Sequence, residues 1–200
     1  MSSVSETIVR EYFELHEFLV RQTRKHIRQT RSAEDDDIDF FVLNPHPQTG
    51  SVLPFVIAST DLPVIQRAIV VVKGWHTETF STARLNREPE IFRFVEPKVF
   101  KQAARAFAKD GVPLKILVVP ALPHDPQARL ESIALLRSKG IDAVLPFRTM
   151  LADLVNETQV NRNYQKSDLL QIIRILKNYD FFKGPQLELF KTRRKKRLQR

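Results

Sequence analysis

Residues 68–73 read Ala-Ile-Val-Val-Val-Lys, a run of apolar, mostly β-branched side chains closed by a single charge. A strand wetted on one face alternates apolar and polar residues, so this unbroken run predicts a strand covered on both sides. Upstream, Ile38-Asp-Phe-Phe-Val-Leu43 reads as a second strand, stopped by Asn44-Pro45-His46-Pro47 and a turn near Gly50. Alternation puts Asp39 on the face that carries Phe41 and Leu43, where a carboxylate needs a partner. A short strand over Phe55–Ala58 and a turn of chain from Asp61 to Gln66 are expected to lead into the run at 68.

Working outward, Ser3 and Glu6 have the spacing of a capping box, which predicts a helix from Ser3 with Ile8, Val9, Tyr12, Phe13 and Leu15 on its apolar side. Phe18–His26 reads as a strand and Ser32–Asp37 as an acidic link. Downstream, a helix starting at Glu96-Pro97 is expected to bury Phe100, Ala103, Ala104 and Phe107 before Gly111 ends it. Lys115–Val119 is a strand. Asp125-Pro126 then caps a helix carrying Leu130, Ile133, Ala134 and Leu136 as far as Gly140. The strand Ile141–Phe147, a short helix around Leu151 and Leu154, and a last helix capped by Ser167 complete the pattern. Alternating strands and helices predict one α/β domain over residues 1–183, with a largely parallel central part, and a tail from 184 to 200.

The 200 residues are 42% hydrophobic and 28% charged, the balance of a globular chain that buries roughly 70% of its unfolded surface. There is no cysteine, which excludes disulfides, thiolate metal sites and a cysteine nucleophile, and fits a reducing, cytoplasmic setting. No apolar run is long enough to span a bilayer, so no membrane partner is expected, and Met1–Glu6 does not read as a secretory signal. Glycine-rich phosphate loops and the G-x-S-x-G elbow are missing. His16, His26, His46, His76 and His124 lack metal-ligand spacing, so zinc is not expected.

The order helix, strand, Asp37-Ile38-Asp39 on a strand, then a strand ending in Val71-Val72-Lys73 resembles the PD-(D/E)XK (restriction endonuclease-like) nuclease superfamily. The strands and helices after Lys73 follow the same arrangement, so the likeness covers roughly residues 5–155. It implies a restriction endonuclease-like central mixed sheet flanked by helices, and Mg²⁺-dependent phosphodiester hydrolysis. In that reading Asp39 is the metal-binding aspartate, and Lys73 is the lysine that positions or activates the attacking water. A hard cation requires oxygen ligands converging from adjacent strands, and it stabilises the charge growing on the attacked phosphate. The resemblance also requires an acidic residue two positions before the lysine, where this chain has Val71. Asp61 could serve as a metal ligand in its place, as could Glu78 beyond the strand as a catalytic carboxylate, and Glu6 or Glu11 could add an acidic group from the first helix. A fold kept for nucleic-acid binding without catalysis is the alternative, and so is an α/β protein unrelated to nucleic acid. Asp35, Asp36, Asp37 and Asp39 also read as an acidic turn in solvent, and Gly74-Trp75-His76-Thr77 as a turn with a half-buried tryptophan.

Gln186-Leu187-Glu188-Leu189-Phe190 resembles the QLxLF pentapeptide with which bacterial polymerases and repair proteins bind the DNA sliding clamp. Leu187, Leu189 and Phe190 suit an apolar pocket and Gln186 its polar edge. A terminal segment docking on the body is the competing reading. Lys191, Arg193, Arg194, Lys195, Lys196, Arg197 and Arg200 follow with no acidic residue among them, a composition that neutralises phosphates without reading bases. The chain holds 32 Lys and Arg against 23 Asp and Glu, a net +9. Seven of those excess charges lie in the last ten residues. The charge argument for DNA therefore concerns the tail, and for the body it rests on Asp39, Lys73 and topology.

Overall fold

A computed structural model describes residues 3–23, 38–50, 52–107 and 111–182. The acidic residues Asp35–Asp37, the clamp-like pentapeptide and the basic tail lie outside the described residues. The chain divides into two compact units, one ending at Val155 and the other beginning at Asn156.

In the first unit, helix α1 (Ser3–Leu15) leads into strand β1 (Leu19–Gln22), followed by β2 (Phe40–Leu43) and β3 (Arg67–Val72). Then come α2 (Thr82–Arg87), α3 (Pro97–Ala104), β4 (Leu114–Val119), α4 (Pro126–Ser138), β5 (Ala143–Pro146) and α5 (Phe147–Glu157). The five strands lie side by side in chain order. β2 is antiparallel to β1 and β3, whereas β3, β4 and β5 are parallel. The result is an α/β fold with a mixed sheet, in which β3, β4 and β5 form the parallel part that the alternation of runs predicts. All six residues of β3 are buried, as its unbroken apolar run requires.

One sheet face sends Ile69, Val71, Leu117, Val119 and Val144 into a cluster with Phe80 of the loop before α2, and with Leu85, Ile91, Phe94, Val99 and Leu136 from α2, the 3₁₀ turn Pro89–Val95, α3 and α4. Burying each of these side chains contributes roughly 1.5–3 kcal/mol. Val70, Val72, Ile116 and Val118, of opposite parity, are equally buried. α1 covers that second face, packing on β1 and β3 through its buried Ile8, Val9, Tyr12 and Phe13. α5 joins α1 there through His16 Nε2, 2.6 Å from Asp153 Oδ2.

Several local expectations change. Phe55–Ala58 makes only a single bridge, Val56 to Val144 at the β5 edge. Pro54 has no N–H for a ladder, and the Ala58 amide is taken by Asp61 Oδ2 at 2.7 Å, which opens the 3₁₀ helix Ser59–Val64. α1 begins at Ser3 as expected, but Glu6 Oε2 accepts a hydrogen bond from Gln22 Nε2 of β1. α3 buries Val99 and Ala103, leaving Phe100 and Phe107 half-buried. In α4 the Asp125 cap forms, its carboxylate accepting from the Ala128 amide at 2.8 Å. Leu130, however, faces outward, while Ser132 is buried by donating to the Ala128 carbonyl.

In the second unit, α6 (Asp168–Asn178) is capped by Ser167 Oγ, which accepts from the Leu170 amide. Tyr164, in the polar stretch before it, accepts from the Gln159 amide through its hydroxyl, and its own amide donates to Gln171 Oε1. That stretch is a capping loop. Among the described residues no helix is long and apolar enough to cross a membrane.

Candidate functional site

The β2–β3 register sets Phe40 opposite Val70, so the next step along each chain sets Asp39 opposite Val71. Directly opposed residues share a face, and alternation adds Lys73 to it. The three positions singled out by the sequence therefore meet at the carboxyl end of β3, the end of a parallel array where ligand sites gather.

Asp39 is only 6% exposed. Its Oδ2 accepts a hydrogen bond from the Val72 amide at 2.7 Å. Its own amide donates to the Val70 carbonyl, and its carbonyl accepts from the Thr23 amide. The residue thus binds β2 to β3 through its side chain while its backbone bridges both neighbouring strands. Val71 is 2% exposed and belongs to the apolar cluster. The Lys73 amide continues the ladder to the Val118 carbonyl at 3.0 Å.

The charge of Lys73 acts on Glu90 in the 3₁₀ turn Pro89–Val95. Glu90 is held below the usual carboxylate range, first by a hydrogen bond with Glu88, then by a backbone hydrogen bond, with Lys73 and Arg84 adding attraction. The same carboxyl–carboxyl hydrogen bond pushes Glu88 upward, aided by slight desolvation and opposed by Arg84. Glu88 and Glu90 are thus a hydrogen-bonded acidic pair, which sequence reasoning did not single out. The only available signal was the string Glu88-Pro89-Glu90, two carboxylates on either side of a proline.

Glu78 and Asp61 go elsewhere. The Glu78 carboxylate is 3.9 Å from Arg84 Nε, while Arg84 Nη2 is 3.4 Å from Glu88. The Arg84 guanidinium lies 4.9 Å from the centre of the Trp75 ring, and Trp75 stacks on Phe80. Asp61 caps its 3₁₀ helix and sits on the α1 face, where its charge and that of Asp153 act on Tyr12. Tyr12 is held far above the ordinary tyrosine range, chiefly by burial, with a hydrogen bond to Ser59 working in the opposite sense. Glu11 is buried and pairs with Arg10.

Gly74 permits the turn after β3. A Cβ there would lie 2.4 Å from Ser5 Oγ on α1, so only glycine lets the strand end pass the helix without displacement. His76 Nε2 is 3.0 Å from the same Ser5 Oγ, and the His76 ring meets the edge of Phe147 at 4.6 Å.

A Mg²⁺ ion needs several oxygen ligands around one point. Asp39 supplies one carboxylate, already engaged with Val72, while Asp61 and Glu78 are committed to other partners. Among the described residues no three His, Asp or Glu side chains are grouped to hold a metal. These side chains therefore do not fit the expected Mg²⁺ site. What the arrangement does offer is an acidic pair, one member of which feels the charge of Lys73, and a tryptophan ring beneath an arginine.

No family model, curated protein or solved structure matches the chain.

Proposed function

We propose that the chain is a DNA-associated protein with a restriction endonuclease-like fold, working as a binding module whose metal site is degenerate. One observation carries this reading: Val71, buried in the apolar cluster, stands opposite Asp39 at the position where a nuclease of this kind needs its second carboxylate. The sheet in chain order with only β2 reversed, and α1 laid over its second face, supports the likeness to that fold. Residues 186–190 and 191–200 supply recruitment. The pentapeptide engages a sliding clamp, and the basic run holds DNA phosphates. Tethering raises local concentration, so a weak nonspecific binder can act at replicating or repaired DNA.

A second reading, Mg²⁺-dependent phosphodiester hydrolysis, is favoured by the charge of Lys73 acting on Glu90, an acidic group that could stand in for Val71.

Full-length protein titrated with duplex, single-stranded and branched DNA over a salt series tests both readings. Expected is binding that weakens with salt, with a log–log slope of roughly −6 at most if all seven tail charges engage. No cleavage is expected with Mg²⁺ or Mn²⁺. Metal-dependent cleavage that is lost in Asp39→Asn and in Lys73→Ala would establish the second reading. Absence of DNA binding at low salt would remove both.

A further inference from the structure

α6 is apolar on two sides. Leu170 and Ile173 are buried. Ile172, Ile175 and Tyr179, by contrast, stand between 44% and 70% exposed, and Phe181 and Phe182 add two exposed rings just beyond the helix. Steps of three and then four residues keep Ile172, Ile175 and Tyr179 on one helical face. Single exposed apolar residues are ordinary, but a contiguous stripe of them marks an interaction surface.

The end of the helix sets what reaches this stripe first. The Phe181 amide donates to the Leu176 carbonyl at 3.0 Å and the Asp180 amide to the Lys177 carbonyl at 3.1 Å, with Asp180 at φ +62°. These are the two hydrogen bonds and the left-handed residue of a Schellman motif, which turns the chain off the helix axis. Gly184-Pro185, a second turn signal, follows at once. Beyond it come Leu187, Leu189 and Phe190, three apolar side chains within four residues. Ile172 and Tyr179 are about 10 Å apart along the helix, and Leu187–Phe190 spans up to about 10 Å when extended. Running antiparallel to α6, the segment would also carry Lys191 and Arg193 toward the exposed Asp168 at the amino end of the helix. A segment tethered this closely has an effective concentration in the millimolar range, an advantage that a second copy of the chain lacks.

We propose that Gln186–Phe190 docks on the Ile172–Ile175–Tyr179 face of α6, with Leu187, Leu189 and Phe190 covering the stripe. The segment is then held by its own chain, and an outside partner must compete for the same side chains. The docking does not depend on what that partner is. Its role as a mask over a clamp-binding motif rests on the pentapeptide being a clamp ligand.

Hydroxyl-radical footprinting of the full chain, read by mass spectrometry at Ile172, Ile175 and Tyr179, tests the docking. In wild type these side chains should oxidise several-fold more slowly than in a variant carrying Leu187→Ser, Leu189→Ser and Phe190→Ser, at every protein concentration. Equal rates in the two proteins overturn the docking. So does protection that grows with concentration and survives in the variant, which would make a second copy the occupant. The mask is tested with Ile172→Lys and Tyr179→Lys together, which place charge on the stripe and leave the pentapeptide intact. Purified clamp should capture this variant several-fold more tightly than wild type. If the double variant fails to fold, Tyr179→Lys alone serves, since that ring is 70% exposed. Affinity equal to wild type overturns the mask. Clamp capture by neither protein removes the clamp reading, and the footprint then decides the docking by itself.

Discussion

The Asp39 carboxylate accepts the Val72 amide across the β2–β3 boundary at 2.7 Å, one residue before the lysine that a nuclease site would use. A catalytic carboxylate and a structural one would occupy the same place here, and the hydrogen bond makes this one structural. Asp39→Ala leaves the Val72 N–H buried without an acceptor, which costs about 1–3 kcal/mol. Asp39→Asn keeps an amide oxygen that can accept it and should cost less. Urea denaturation midpoints of the two variants check the ordering, and only Asp39→Asn is fit for judging effects on DNA.

Val71→Glu would return a carboxylate to the position opposite Asp39. The new side chain enters an apolar cluster, so the variant should lose several kcal/mol in the absence of metal. If Asp39 can still turn to a cation, Mn²⁺ should raise the Tm of this variant and leave wild type unchanged. A variant destabilised equally with and without Mn²⁺ would show that Asp39 remains committed to Val72.

Gly74→Ala forces a methyl group to within 2.4 Å of Ser5 Oγ and 2.9 Å of Ser5 Cβ. Relief requires α1 to shift on the sheet, a strain of about 1–3 kcal/mol. Adding Ser5→Gly, which deletes both offending atoms, should recover part of the lost Tm even though glycine weakens the helix.

Tyr12 governs the alkaline limb of stability. Burial raises its pKa above the ordinary value, so the folded state keeps the phenol proton where the unfolded chain releases it. The stabilisation is complete below the unfolded pKa of about 10 and declines as pH rises beyond it. Tyr12→Phe forfeits the bond to Ser59 Oγ but should flatten this decline, measured as Tm between pH 8 and 11.

For the tail, capture of purified sliding clamp by the full chain should collapse when Leu189 and Phe190 become alanine. DNA affinity should persist in that variant, since the basic residues from Lys191 onward are intact. Clamp capture equal to wild type would remove the pentapeptide from the proposal.

Much of the fold is legible in the chain because its signals are local. The unbroken Ala68–Val72 run, the Asp125-Pro126 cap and the Ser167 cap each state a backbone preference within a few residues, and each is realised. Phe55–Ala58 misleads because its apolar composition suits a strand while its hydrogen-bond partners are decided by Pro54 and Asp61. The half-buried Phe100 and the exposed Leu130 show the same limit: periodicity gives a helix an apolar side, but the neighbouring elements choose which residues on it are covered.

The site divides in the same way. From sequence alone come the strand carrying Asp39, the strand ending at Lys73, the valine at 71 and a tail whose charge differs from that of the body. Tertiary structure alone decides that Asp39 spends its carboxylate on the Val72 amide, that Asp61 and Glu78 turn to other partners, and that Glu90 feels the charge of Lys73. It also buries Arg67, whose Nε meets no hydrogen-bond acceptor among the described residues. The physical reason is range. Backbone preference and hydrophobic period act over a few residues, whereas the partner of a charged side chain is set by which distant segments the sheet register brings within a few ångströms.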